Sequence, residues 1–87
     1  MQIISHYFVT GFDAWKTAFD ADAESRRTAG LTVLQVWKAA DSDTHAFTLM
    51  EVNDRDRAQA WIDRSDALHS DDADTVEKSS HYFIETA

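Results

Sequence analysis

The sequence predicts a single α+β domain of the ferredoxin-like type, a βαββαβ sandwich over residues 1–87. Four segments are rich in β-branched and aromatic residues, as strands are, and two segments repeat apolar side chains at helical steps. Right-handed crossovers in both β-α-β units then predict an antiparallel sheet with the spatial strand order 4-1-3-2. We expect both helices on one face of that sheet.

The first part of the chain predicts a strand followed by a helix. Residues 2–10 have strand composition, and the period then changes to that of an amphipathic helix over 12–29. Arg26 and Arg27 lie in the last helical turn, where cations suit the negative end of the helix dipole. Gly30 follows as the left-handed residue at which the helix ends. The side chains expected to face the sheet are Phe12, Trp15, Phe19 and Ala23.

The remaining elements are a hairpin, a second helix and a last strand. Residues 31–39 and 44–52 are predicted strands, joined by the polar turn 41–43. Asn53 or Asp54 then caps a helix, and a charged connection over 70–78 leads to a last strand over 79–86. The apolar stripe of the second helix consists of Ala58, Trp61, Ile62 and Leu68.

Both faces of the predicted sheet carry large apolar side chains. Alternation along the first strand places Ile4 and Phe8 opposite Ile3, Tyr7 and Val9. The same holds in the third strand, where Phe47 and Leu49 oppose Ala46, Met50 and Val52, and in the last, where Phe83 opposes Tyr82 and Ile84. Two helices cover one face only, and a wet apolar face forfeits several kcal/mol at about 25 cal/mol per Å². The sequence therefore predicts a homodimer that packs sheet against sheet.

Composition limits the classes of function. The chain has 16 acidic and 8 basic residues and a formal charge of −8, so it would repel nucleic acid and anionic membrane surfaces. No apolar run reaches the roughly 20 residues of a membrane span, and the N-terminus does not have the pattern of a signal peptide. We therefore expect a cytoplasmic protein. It has no cysteine, which excludes disulfides and thiolate metal sites.

A family resemblance covers nearly the whole chain. It rests on FDAWKTAFD at 12–20, Gly30 before the second strand, LMEVNDRDRAQAW at 49–61 and HYFIE at 81–85. In these features the chain resembles the dimeric α+β barrel superfamily, in particular antibiotic-biosynthesis-monooxygenase-like families and their small uncharacterised relatives. The resemblance implies the ferredoxin-like fold and a homodimer. It does not select a reaction, because members include cofactor-free oxygenases, haem-degrading enzymes, lactone isomerases and polyketide cyclases.

The tetrapeptide SHYF occurs twice, at 5–8 and 80–83, on strands predicted to be adjacent. This repeat could bring four side chains together as a catalytic cluster, with the histidines as proton carriers and a tyrosine as hydrogen-bond donor. The alternative is that all of them are ordinary strand residues and that the repeat is a coincidence. The candidate catalytic residues are His6, His81, Tyr7 and Tyr82.

The candidate ligand-binding residues are Trp37, Gln35 and His45. Trp37 and Gln35 share one side of the second strand, where they could line a pocket between sheet and helix or a dimer surface. His45 lies on a strand next to that of His6. No HxH or HxxxH pair is present, so we expect no metal, and the Asn, Trp and His set of the haem-degrading members cannot be placed, so we expect no cofactor.

Two functions are consistent with these features. The first is a small cofactor-independent enzyme of the oxygenase, isomerase or cyclase type that acts on an aromatic or polyketide-like molecule. The second is a non-catalytic ligand-binding or dimerisation module. A pocket that contains a histidine or a carboxylate of displaced pKa would favour the enzyme, and a filled core would favour the module.

Overall fold

The computed structural model describes residues 1–71 and 76–87, except for the side chains of 65–71. Its elements are β1 (Gln2–Val9), α1 (Phe12–Ala21), α2 (Ala23–Thr28), β2 (Leu31–Lys38), β3 (His45–Val52), α3 (Arg55–Asp71) and β4 (Val76–Ile84). The strands form one antiparallel sheet in the order β2-β3-β1-β4. The predicted fold class and strand order are confirmed.

The predicted helix over 12–29 is wrong in one respect, because it is broken at Asp22 into α1 and α2. The backbone N–H of Asp22 donates to the Phe19 carbonyl, three residues back, at 3.2 Å. Aspartate favours helix ends because its short polar side chain competes for backbone hydrogen bonds. Arg26 in α2 lies over the ring of Phe19, seven residues earlier in α1.

The last strand begins at Val76, three residues before the predicted start at 79. Val76 pairs with Val9 across a register shift in β1, and its side chain is buried in the core. Burial of this one valine extends the strand into a segment whose other residues are polar. Residues 72–75 of the predicted connection, and the side chain of Leu68, lie outside the described residues.

The predicted helix ends at Gly30 and Asp54 are confirmed. Gly30 has a φ of +74°, the left-handed conformation that glycine adopts without steric strain. The carboxylate of Asp54 accepts a hydrogen bond from the backbone N–H of Arg57 at 3.1 Å, which caps the start of α3.

The core lies between the sheet and the helices, in two clusters. One contains Ile3, Ala29, Leu31, Met50, Val52, Ala58, Trp61 and Ile62. The other contains Tyr7, Val9, Trp15, Phe19, Ala46 and Val76. The predicted core positions of Trp15 and Trp61 are confirmed, since they are 3% and 5% exposed.

The opposite face of the sheet has no helix against it in the described part of the chain. Strand register places His6 beside Phe47, Ile4 beside Leu49 and Tyr82, and Trp37 beside Phe47 on this face. We call it the open face. Its apolar and histidine side chains are Ile4, His6, Phe8, Trp37, His45, Phe47, Leu49, Tyr82 and Ile84. The alternation predicted for the first, third and last strands is confirmed.

Candidate functional site

Three polar side chains cross the middle of the helix-covered face, and we call them the polar row. They are Thr48 on β3, Ser5 on β1 and His81 on β4, which the register places side by side. Ser5 Oγ and His81 Nδ1 are 2.7 Å apart, and His81 Nε2 lies 3.2 Å from Ser79 Oγ. Both ring nitrogens of His81 are hydrogen-bonded, and these contacts fix the orientation of the imidazole.

Thr48 is a buried member of the polar row with an unsatisfied hydroxyl. The residue is 0% exposed, and its Oγ1 has no hydrogen-bond partner among the residues that the structure describes. Leaving a buried polar group unpaired costs about 1–3 kcal/mol. Buried groups of this kind are few in folded proteins, and each one points to a specific local role.

Aromatic rings adjoin the polar row on the side of α1. The ring of Tyr7 stands edge-on to His81 at a centroid distance of 5.6 Å and lies 5.3 Å from Trp15. Trp15 in turn lies 4.9 Å from Phe19. Apolar walls with a few polar groups are typical of small-molecule sites.

A buried cation, Arg26, lies at the far end of these rings. Arg26 is 5% exposed, and its guanidinium carbon lies 3.7 Å from the centroid of the Phe19 ring. Burial lowers the pKa of Arg26, and this is partly offset by interactions with Asp22, Tyr7 and Asp20. The guanidinium can stabilise an anion that forms near it.

The predicted single cluster of SHYF residues is wrong, because the sheet divides its members between two faces. Tyr7 and His81 lie together on the helix-covered face. The register pairs Ser5 with His81 and His6 with Ser80, so His6 projects from the open face. Tyr82 also projects there and is 62% exposed. Residues with opposite parity in paired strands cannot share a face.

On the open face, His6 contacts His45 rather than His81. His6 Nε2 and His45 Nδ1 are 2.9 Å apart, and the two rings are stacked with an interplanar angle of 7°. Aromatic side chains pack around this pair. Phe47 stacks on His6 at 4.7 Å, and Phe8 lies 4.3 Å from His45.

Trp37 and Gln35 also lie on the open face, where they pair with Phe47 and Leu49. Their predicted role in a pocket between sheet and helix is therefore wrong, because the side chains of that part of β2 point away from the helices. Trp37 is 41% exposed. The alternative role, in a surface between two copies, stays a prediction.

The part of the chain that the structure describes has neither a metal-ion cluster nor a membrane-spanning helix. No group of three or more His, Asp or Glu side chains comes together in a way that suits a metal ion in residues 1–64 and 76–87, whose side chains the structure describes. In residues 1–71 and 76–87, no helix is both long enough and apolar enough to cross a bilayer.

Sequence reasoning missed Ser5, Thr48 and Arg26 as site residues. For Ser5 and Thr48 a signal was present, because each shares the parity of the buried residues in its strand. Arg26 carried a positional signal too, because it lies seven residues after Phe19 and so falls on the same face of the predicted helix, although arginine is usually exposed.

Comparisons with known proteins identify the fold. No protein-family model and no curated protein matches the chain. Among solved structures, it is similar to an uncharacterized NIPSNAP domain protein from Burkholderia xenovorans, with a TM-score of 0.65 and 12% identity over 100% of this chain and 95% of that chain. The two proteins share a fold. At this identity the likeness extends to the ferredoxin-like α+β architecture and no further, and the narrower monooxygenase-like resemblance stays a prediction.

Proposed function

We propose that the protein is a homodimer that holds a small apolar or aromatic molecule beside the polar row and performs acid–base chemistry on it without a bound cofactor. The observation that carries this proposal is a row of polar side chains in a mainly apolar core, in which Ser5 separates a hydrogen-bonded histidine from a buried threonine hydroxyl that has no partner among the described residues. The resemblance to families of cofactor-free oxygenases, isomerases and cyclases supports it.

In this proposal, each polar group has a distinct role. Nε2 of His81 accepts a proton from a carbon or oxygen acid of the ligand when the ligand takes the place of Ser79 Oγ, the longer of its two contacts at 3.2 Å. Arg26 stabilises the resulting enolate or phenolate through its positive charge. The hydroxyl of Thr48 forms a hydrogen bond with the polar end of the ligand, which removes the cost of its burial.

Proton exchange tests this chemistry without knowledge of the natural substrate. The probe is 2-tetralone, an aromatic ketone with acidic C–H groups, whose exchange in D₂O is followed by NMR at pH 7.5. We expect the wild type to accelerate exchange above the buffer rate and His81→Gln to remove at least about 90% of the acceleration, in line with the loss of a general base.

The matched control is His45→Gln, which changes a histidine on the other face of the sheet. This variant should retain the exchange rate of the wild type. A His81→Gln variant that folds and exchanges at the wild-type rate would exclude His81 as the base.

The homodimer is proposed from the open face. Four strands spaced about 4.8 Å apart and about 26 Å long form a flat sheet area of roughly 500 Å² per protomer, or about 1,000 Å² for two protomers. The side chains that project from the sheet add to this area. This is near the lower limit of about 1,000 Å² for a specific interface. The strand pairing places one acidic residue, Glu51, and one basic residue, Lys78, on this face, although the whole chain has a net charge of −8. Charge repulsion between two copies that meet through their open faces is therefore small.

Tryptophan fluorescence can report this interface, because only Trp37 lies on the open face. Trp15 and Trp61 are buried in the monomer. Dilution below the dissociation constant should therefore shift the emission to longer wavelength in the wild type and not in Trp37→Phe. An emission maximum that is constant between about 0.01 and 100 μM, at a constant monomeric mass, would contradict the dimer.

The second candidate is a non-catalytic ligand-binding or dimerisation module. This candidate is favoured by the size and apolar character of the open face. Such a face can serve assembly or ligand binding even if no reaction takes place on the helix-covered face. Wild-type protein that dimerises and binds 2-tetralone, but leaves its exchange at the buffer rate, would support the module over the enzyme.

A further inference from the structure

We propose that protonation of the His6–His45 pair dissociates the homodimer, so that assembly weakens as the pH falls from about 7.5 to 5.5. This inference rests on the homodimer proposed above and adds its regulation. The pair lies on β1 and β3, the two central strands of the open face. A second copy that packs on this face would cover it.

The geometry of the pair limits how many protons it can hold. His6 Nε2 and His45 Nδ1 are 2.9 Å apart, so one nitrogen donates and the other accepts. This hydrogen bond can form when both rings are neutral, and it can also form when one ring is neutral and the other is protonated. When both rings are cationic, both nitrogens carry hydrogen, so the hydrogen bond is lost and two like charges face each other.

The surroundings favour the uncharged pair. Phe8 and Phe47 pack against the two rings and offer no compensating charge. Burial lowers the pKa of His6 below its ordinary value, and the positive charges of His45 and Lys78 lower it further. In the proposed dimer, the second sheet would exclude more water from the pair. We therefore expect the pKa of His6 to be lower in the dimer than in the monomer.

The charged groups that face this pair come from two strands. Lys78 on β4 is the partner of Phe8 in the register, so it repels a protonated pair. Glu51 on β3 shares the open face but lies at its other end, where it contacts the Gln2 amide at 3.4 Å and the N-terminal ammonium at 3.7 Å. β2 contributes Trp37 and Gln35, which are uncharged.

The direction in which pH changes the dissociation constant distinguishes an effect of the histidine pair from an effect of the net charge. Each group whose pKa is lower in the dimer than in the monomer weakens association as pH falls below the monomer value, by up to about tenfold per pH unit. Net charge acts in the opposite direction, because the −8 of each chain declines towards the pI of about 4.6 and so reduces repulsion between copies. Weaker association at pH 5.5 therefore cannot come from net charge.

Sedimentation equilibrium on the full chain measures this effect, with tryptophan fluorescence and circular dichroism to verify folding at each pH. For the wild type we expect a dissociation constant that rises about 10- to 100-fold between pH 7.5 and 5.5. In His6→Phe, which keeps an aromatic ring stacked on Phe47, only one imidazole of the pair remains, so the rise should be at least threefold smaller than in the wild type. His81→Gln, on the other face, should show the wild-type rise.

His45→Phe provides a second test if His6→Phe does not fold, and we expect it to reduce the rise at least threefold. A dimer that is equally tight or tighter at pH 5.5 would overturn the switch and leave the dimer intact. The switch would also be overturned if every folded variant of the pair kept the wild-type rise. A monomer at pH 7.5 would overturn the dimer and the switch together.

Discussion

The two faces of the sheet differ in how their apolar side chains are covered. On one face, Met50 and its neighbours are covered by helices of the same chain and are 0–9% exposed. On the other, Phe8, Trp37 and Tyr82 are 37–62% exposed. The polar groups differ as well, since a hydroxyl-bonded histidine lies on the covered face and a histidine pair on the open face. Strand alternation thus separates the two proposed roles, with chemistry on the covered face and assembly on the open face.

A charge placed on the open face should have the largest effect. Ile4→Asp would put an unpaired carboxylate between Leu49 and Tyr82 in the middle of the proposed interface, which costs several kcal/mol. We expect the dissociation constant of the dimer to increase more than about 100-fold, as measured by light scattering over a dilution series. Ala14→Asp adds the same charge on the exposed side of α1 and should leave the mass unchanged.

Truncation of neighbouring residues on the two faces should separate folding from assembly. Met50→Ala removes a fully buried side chain and should lower the free energy of unfolding by about 2–5 kcal/mol. Leu49→Ala, one residue earlier, should lower the free energy of unfolding mainly because it weakens the dimer. Its effect should therefore disappear in urea melts at protein concentrations below the dissociation constant, where the protein is monomeric. Equal losses at all concentrations would contradict the division between the faces.

The smallest expected effect is a gain in stability. Thr48→Val replaces an unpartnered buried hydroxyl by a methyl group of similar size, and it should raise the free energy of unfolding by about 1 kcal/mol. The same variant should bind 2-tetralone more weakly, because it cannot donate a hydrogen bond. A loss of stability greater than about 1 kcal/mol would show that the hydroxyl has a structural partner.

Much of the fold could be predicted because it depends on local patterns. Helical and strand periods, the Gly30 stop and the Asp54 cap each depend on a few neighbouring residues. The pairing of β4 with β1 is different, because Tyr82, Phe83 and Ile84 are all apolar and do not indicate which parity is buried. A shift of one residue exchanges the faces of a strand, and this is why His6 and His81 were predicted to be neighbours.

The position of Arg26 was predictable, but its degree of burial was not. Arg26 lies seven residues after Phe19, so its contact with that ring follows helical periodicity. Arginine is rarely buried, and no pattern in the sequence indicates how completely the surrounding residues enclose it.

The most direct test of the division between the two faces is the mass of the wild-type protein in solution. Light scattering at pH 7.5 and about 10 μM should give twice the 9.9 kDa of one chain. A species of 9.9 kDa at that concentration, with the open face accessible to solvent, would contradict it.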